Sequence, residues 1–279
     1  MRLPQQLPAP YERFKPDDDC MHEECGVFGI YTNGSGLDAA EAAYYGLFAL
    51  QHRGQESAGV AVSRKGRIDC HKAMGLVSGR FNDGLGALKG CNLAIGHVRY
   101  STTGDSLLVN AQPLVVESPL GPLALAHNGN IINAKELREE LEAEGVCFQT
   151  TIDSEVIAAL IAKNSKEGLV ESISLAMQRL KGSYALVLLT KDQIIGVRDP
   201  KGMRPLALGS LEGAYIIASE SCAFDTIGAE FMRDVRPGEI VVAGRAGLKA
   251  HQAIRSTDTA LCIFEYVYFA RPDSDIDGI

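Results

Sequence analysis

The 279-residue chain has no run approaching the ~18 to 20 continuous apolar residues of a membrane-crossing helix. Its opening stretch also lacks the ~7 to 15-residue apolar centre of a secretory signal. The cytoplasm is therefore the expected address. Basic charge is in short supply: 27 Lys and Arg stand against 35 Asp and Glu, a formal net charge of −8, with no basic run. This argues against a nucleic-acid surface or a polybasic membrane anchor. Neither nucleic acid nor membrane is an expected partner, and an anionic ligand would need a local pocket. Internal repeats and low-complexity tracts are absent. The seven cysteines are odd in number and lie mostly inside apolar segments, which fits a reducing compartment with free thiols better than a disulfide framework.

What is present is a globular composition, 46% hydrophobic, long enough for one large domain or one and a half ordinary ones. The first 24 residues, "MRLPQQLPAPYERFKPDDDCMHEE", carry little periodic apolar pattern and read as a removable leader. "CGVFGIY" then opens a core strand, and "LDAAEAAYYGLFALQHRG" reads as an amphipathic helix with Gly54 near its end. Strand-like runs follow at "SAGVAVSR", "RIDCHKAMG", "NLAIGHVRY" and "PLALAHNG". Helices are expected over "NAKELREELEAEG", over "DSEVIAALIAKN" with Asp153 and Ser154 at its cap, and over "LVESISLAMQRLKG". Beyond Gly182 come strands and turns, and the aromatic-rich end, "CIFEYVYFARPDSDIDGI", shows no closing element. Grouped strands around a central block of helices indicate an α+β fold, with helices covering sheets that pack on each other.

Cys25 stands at the first residue of the strand pattern. If the bond before it were broken, a new α-amine, with a pKa near ~7.7 to 8.0, would share a residue with the thiol. One residue would then supply nucleophile and base. Two plainer readings compete: a small core cysteine, or half a metal site made with Cys20 and His22, for which no second close ligand pair follows. Four polar segments at the ends of apolar runs bear on the choice: "LQHRGQESAG", "IGHVRYSTTG", "AHNGNIINA" and "TTIDSE". Strand ends and loops are where sites form, although "HNGN" alone would be a turn and Arg53 or Arg99 alone a surface ion-pair partner.

Taken in order with Cys25, these segments resemble the class II glutamine amidotransferases, which use an N-terminal nucleophile. "HEECGVFGI" and "CIFEYVYFARPDS" are similar to the branch that joins the glutaminase to a phosphoribosyltransferase domain. The resemblance implies a four-layer αββα sandwich of the N-terminal nucleophile hydrolase type. It implies a propeptide over 1–24, a glutaminase domain over 25–260, and over 261–279 the start of a connection to the second domain. Cys25 would attack the glutamine side-chain amide, with Asn128 and Gly129 as oxyanion donors. Arg99 would take the α-carboxylate and Asp153 the α-ammonium, while Arg53, Gly54 and Thr102 line the pocket. His97 and His127 read as packing or supporting residues. The branch makes 5-phosphoribosylamine from phosphoribosyl pyrophosphate and glutamine, the first step of purine synthesis, with magnesium and commonly as a homo-oligomer. It often carries an iron-sulfur cluster, for which Cys262 matches the first of four cysteine ligands. This chain lacks the phosphate-binding loops of the second domain, so glutamine hydrolysis is the most it is expected to perform, without magnesium or cluster. Two other readings stay open on the residues alone: the glutaminase domain of another class II enzyme or stand-alone amide hydrolase, and a non-catalytic fragment.

Overall fold

A computed structural model describes residues 25–79, 84–100 and 106–279. The leader over 1–24 and Thr102 lie outside the described residues. Strand β1 (Gly26–Tyr31) starts directly after Cys25 and is buried along its whole length. Because side chains alternate across a strand, its residues serve two layers. Phe28 and Ile30 join a core under a helix, whereas Val27 and Tyr31 join a second core that faces another sheet.

The first sheet runs, edge to edge, β11 (Glu230–Asp234), β9 (Ala207–Leu211), β10 (Ala214–Ala218), β1, β4 (Leu93–Arg99), β2 (Ser57–Arg64) and β3 (Arg67–Met74). The second runs β13 (Gly247–Gln252), β12 (Glu239–Gly244), β8 (Gln193–Arg198), β7 (Gly182–Leu189), β6 (Gly121–Ile131) and β5 (Leu114–Ser118). Neighbouring strands are antiparallel in both sheets. The sheets press face to face through large and small residues together: Ile95, Val187 and Ile217 sit in the shared core with Ala124, Ala126 and Ala185, and a Cβ on Gly29 would lie 2.7 Å from Val187. Helices α1 (Ala39–Ala49) and α5 (Cys222–Ile227) pack on the outer face of the first sheet. Helices α2 (Ala134–Ala143), α3 (Asp153–Lys163) and α4 (Leu169–Arg179) cover the second. The result is the expected αββα sandwich.

Local signals explain the helix positions and one correction. Asp38 caps α1 by accepting the N–H groups of Ala40 and Glu41 at 3.0 and 3.1 Å. Gly46 lets α1 settle on the ring of Phe28, where a side chain would overlap it. In α3, however, Asp153 and Ser154 are the first helical residues and not caps, and Ile152 before them makes no side-chain cap. The Asp153 carboxylate is engaged elsewhere, accepting Ile131 N–H at 2.9 Å. Glu155 closes the entry by accepting the N–H groups of Gln149 and Thr150 at 2.9 and 2.7 Å. The "HNGN" stretch is likewise strand, since β6 continues through it to Ile131.

The chain end also departs from the expectation of no closing element. A single π-helical turn, Glu265–Phe269, buries Glu265 to 1% exposure, and Ile276 inserts with 4% exposed. Arg198 then clamps Asp277 through two parallel hydrogen bonds of 2.8 and 2.7 Å. Asp234 accepts the Asp277 N–H at 3.1 Å. Burial, with the nearby Asp277 charge, pushes the Asp234 carboxyl up from 3.8 to about 6 despite Arg198. A carboxyl whose folded pKa is raised favours folding while protonated, and that contribution is lost as pH rises from about 4 through 6. Asp234→Asn keeps the acceptor without the charge. It is expected to raise Tm at pH 7.5 by about 2 °C or more and to change it little near pH 3.5. A Tm at pH 7.5 no higher than wild type would contradict this account of the tail.

Candidate active site

Extending the β1–β4 register by one pair from Gly26 and Val98 sets Cys25 beside Arg99. By the same alternation that turns Val27 toward the second sheet, Cys25 opens the inner face. The thiol is 6% exposed and donates to the carbonyl oxygen of Tyr100 at 3.3 Å. It lines a small cavity with Arg99, Tyr100, Gln112, His127, Gly129, Ile152 and Asp153. The site therefore lies where the ends of the two packed sheets meet.

The second sheet supplies the facing wall. Ala124 and Ala126 of β6 point inward, so Asn128 follows them onto the inner face. Its side chain is fully buried, yet neither the amide nitrogen nor the amide oxygen has a hydrogen-bond partner. Such a group costs about 1 to 3 kcal/mol when left unsatisfied, so it marks a position built for something other than stability. Gly129 adopts φ 144°, and a Cβ there would overlap the carbonyl oxygen of Ser183. Only glycine fits, which lets the backbone come to the cavity edge.

The charged residues are held in fixed states. Arg99, 2% exposed, bonds Glu56 through Nη1 at 2.7 Å. Burial alone would raise the pKa of Asp153, but His127 and the Ile131 and Ser154 N–H groups outweigh it and hold the carboxyl below its usual range. Its place in the first turn of α3 also favours the anion. His97 reaches across the sandwich, its Nε2 lying 2.9 Å from the carbonyl oxygen of His127. A carbonyl can only accept, so Nε2 carries the hydrogen. Burial, with Arg99 and His127 nearby, pushes His97 down to about 3 in spite of that bond. It is neutral and too weak a base for proton transfer near neutrality.

Arg53, in a short 3-10 turn after α1, is the most enclosed cation of the site at 1% exposure. Its Nε donates to the carbonyl of Cys25 at 3.0 Å, while Nη1 and Nη2 bond Glu220 and Glu265 at 2.6 and 3.0 Å. Burial disfavours its charge, but the two carboxylates more than compensate and raise its pKa. Gly54 follows, where a Cβ would lie 2.7 Å from the Arg99 backbone. Cys25, Arg99, Gly129 and Asp153 thus line one cavity, with Arg53 bonded to Cys25, Gly54 packed on Arg99 and Asn128 buried next to Gly129 in the chain.

Residues that sequence reasoning did not single out complete the arrangement. Glu56 pairs Arg99, Gln112 accepts the His127 N–H at 2.8 Å, and Glu220 and Glu265 enclose Arg53. Each is a polar residue at an element end, and no local spacing distinguishes it from a solvated one. Cys262 is partly exposed, and no three His, Cys, Asp or Glu among the described residues are arranged to hold a metal ion. Of the remaining thiols, Cys91 and Cys222 are buried and Cys70 and Cys147 exposed. A wider groove lined by Leu108, Val115, Phe148 and Ala162 contains none of the site residues. No described helix is long and apolar enough to cross a membrane.

The chain is similar to known glutamine amidotransferases. The family model of the glutamine amidotransferase domain matches residues 97–226. The amidophosphoribosyltransferase of Bacillus subtilis is 44% identical over 261 residues, 93% of this chain and 54% of that protein. That of Synechocystis is 50% identical over 267 residues, 93% of this chain and 53% of that protein. The solved structure of glutamine phosphoribosylpyrophosphate amidotransferase from B. subtilis, complexed with ADP and GMP, superposes with a TM-score of 0.85 at 44% identity, over 91% of this chain and 55% of that one. The chain spans about half the length of the curated relatives it matches.

The backbone requirement at Gly129 is directly testable. Gly129→Ala places a side chain in a left-handed conformation against an immovable strand carbonyl, and is expected to lower Tm by about 5 °C or more. Thermal unfolding that matches wild type would mean that β6 can shift to admit a Cβ.

Proposed function

Because the chain belongs to the glutamine amidotransferase family, we propose that it hydrolyses the side-chain amide of glutamine with Cys25 as nucleophile. The observation that carries this reading is the buried, unpartnered Asn128 amide, next in sequence to Gly129, which lines the same cavity as Cys25. Asn128 Nδ2 and the Gly129 N–H are the donors for the oxygen that gains negative charge as the amide carbon becomes tetrahedral. Such donors act most strongly where water is excluded, and both residues sit at the junction of packed sheets.

Glutamine enters with its head group held at two points. Arg99 takes the α-carboxylate while retaining Glu56, and ionised Asp153 takes the α-ammonium. Arg53 keeps the Cys25 backbone fixed. Removal of residues 1–24 frees the Cys25 α-amine, which accepts the thiol proton as sulfur attacks the amide carbon. The tetrahedral species collapses with loss of ammonia, whose additional proton returns from the α-ammonium. Water then cleaves the γ-glutamyl thioester to glutamate and restores the thiol. His97 takes no part in these transfers, since the amine occupies the role of base. Thr102, two residues after Tyr100 in sequence, remains a proposed pocket residue.

In the longer protein we assign the ammonia to a phosphoribosyltransferase half that converts phosphoribosyl pyrophosphate to 5-phosphoribosylamine. The relatives' name, amidophosphoribosyltransferase, supports that acceptor. Magnesium would serve that half of the enzyme. Cys262 would contribute to an iron-sulfur cluster only alongside cysteines supplied by further sequence, and assembly into a homo-oligomer is expected of the whole protein.

Intact mass before and after treatment with a glutamine-analogue electrophile such as diazo-oxo-norleucine tests the reading. The expected result is a chain starting at Cys25 that gains one adduct, lost in Cys25→Ala. Asn128→Ala is expected to lower kcat for glutamine hydrolysis by about 10² to 10³. A processed chain that takes no label, or an Asn128→Ala variant with wild-type turnover, would overturn the assignment.

A further inference from the structure

Three consecutive residues after β10 hold three separate parts of the molecule. The Ser219 hydroxyl accepts the Val27 N–H at 2.9 Å, and the Ser219 N–H returns to the Val27 carbonyl at 3.0 Å, anchoring the strand behind Cys25. Ser221 accepts the Asp275 N–H at 2.7 Å, anchoring the chain end. Between them Glu220, fully buried, serves both sides. Its Oε1 takes Arg53 Nη1 at 2.6 Å and lies 2.9 Å from His52 Nε2. Its Oε2 takes the Arg271 N–H at 3.0 Å and the Ser274 hydroxyl at 2.7 Å.

We propose that Glu220 is a positioning residue for the nucleophile: acting through Arg53 it fixes the Cys25 carbonyl, and its second oxygen ties that position to residues 271–274. The proposal rests on the reading of Cys25 as the nucleophile that attacks glutamine. Its physical basis is the shape of a guanidinium, a planar fork whose three nitrogens move together. Glu220 and Glu265 approach Nη1 and Nη2, and with both edges held, the Nε–H can point only at the Cys25 carbonyl. Glu265 holds the other edge and is itself shared with Arg204 at 3.1 Å, while Glu220 holds its edge from the residues that follow β10 and pair with β1. A displaced Cys25 backbone would carry thiol and α-amine away from the carbon they must meet, and small misplacements of reacting groups are costly.

Glu220 also balances charge. The charged and titratable groups around Cys25 are Arg53 and Arg204 with Glu220 and Glu265, His52 beside Glu220, Arg99 with Glu56, and Asp153 with His127, while His97 is neutral. Replacing the Glu220 carboxylate by an amide leaves a surplus positive charge next to the thiol, which favours the thiolate. The two consequences have opposite signs: the thiol ionises more readily while catalysis falls. A side chain that merely supports the fold would not produce that combination.

The test uses the full chain carried to the form that starts at Cys25. Glu220→Gln is expected to lower kcat for glutamine hydrolysis about tenfold or more with KM within about threefold, since Arg99 and Asp153 still hold the substrate. The pH midpoint of Cys25 alkylation by iodoacetamide, followed on its peptide by mass spectrometry, is expected to move down by about half a unit or more. Ser274→Ala, which removes one neutral hydrogen bond from Oε2, is expected to lower kcat about twofold. Unchanged kcat in Glu220→Gln, or a fall in kcat with the alkylation midpoint unmoved, overturns the proposal. If Glu220→Gln does not fold, Ser274→Ala and His52→Gln decide, and wild-type kcat in both overturns it. A wild-type chain that alkylates at Cys25 but hydrolyses no glutamine sinks the glutaminase reading instead, and the alkylation midpoint of Glu220→Gln still judges Glu220.

Discussion

The packing of the two sheets against each other through one shared apolar core is the constraint from which the site follows. Large side chains such as Ile95, Val187, Ile194 and Ile217 fill that core beside alanines such as Ala124, Ala126 and Ala185, and glycines sit where the fit is tightest. Gly29 faces Val187, and Gly196 faces Ile217 and Val241, with no room for a further carbon at either place. Across this core the inner-facing end of β1 and the inner-facing residues of β6 are held opposite each other. The proposed nucleophile, Cys25, and the proposed amide donor, Asn128, therefore come from different sheets, and His97 ties those sheets together through the carbonyl of the residue before Asn128.

Charge is handled by the same enclosure. Arg53 is buried only because two carboxylates meet it, and losing one partner of such a buried pair costs about 3 to 5 kcal/mol. For Glu220, burial would raise the pKa, but Arg53 first and His52 next hold the carboxyl well below its usual range. Its stabilising contribution is thus present above the ordinary carboxylate pKa near ~4.3 and is lost only as the medium becomes strongly acidic. Asp234 behaves in the opposite sense, so the far end of the tail and the arginine cluster respond to acid in opposite directions.

Much of this was legible in the sequence where a residue type has few alternative uses. Strands β1, β2, β4, β7, β8 and β12 are short apolar runs, and the structure buries them nearly end to end. Edge strands β11 and β13 were not visible, because "EFMRD" and "GLKAHQ" keep most side chains in solvent and carry no core pattern. Helix α5, six residues long, is too short to show a helical period. Within the site, Cys25, Arg99, Asn128, Gly129 and Asp153 stood out through ordered motifs. Glu56, Glu220 and Glu265 did not, since a carboxylate becomes meaningful only when a distant arginine is folded against it. Glu220 and Arg53 are 167 positions apart.

The position of Cys25 in the sheet order bears on a different property. Chain termini are ordinarily where a fold frays. β1 is the central member of its seven strands, flanked by β10 and β4 and covered on both faces. An amino terminus created at Cys25 would thus begin in the stiffest part of the molecule, already deprived of the wandering that a free chain end enjoys. The ordering entropy of a reactive terminus is absorbed once, when the protein folds, and is not demanded again at each encounter with substrate.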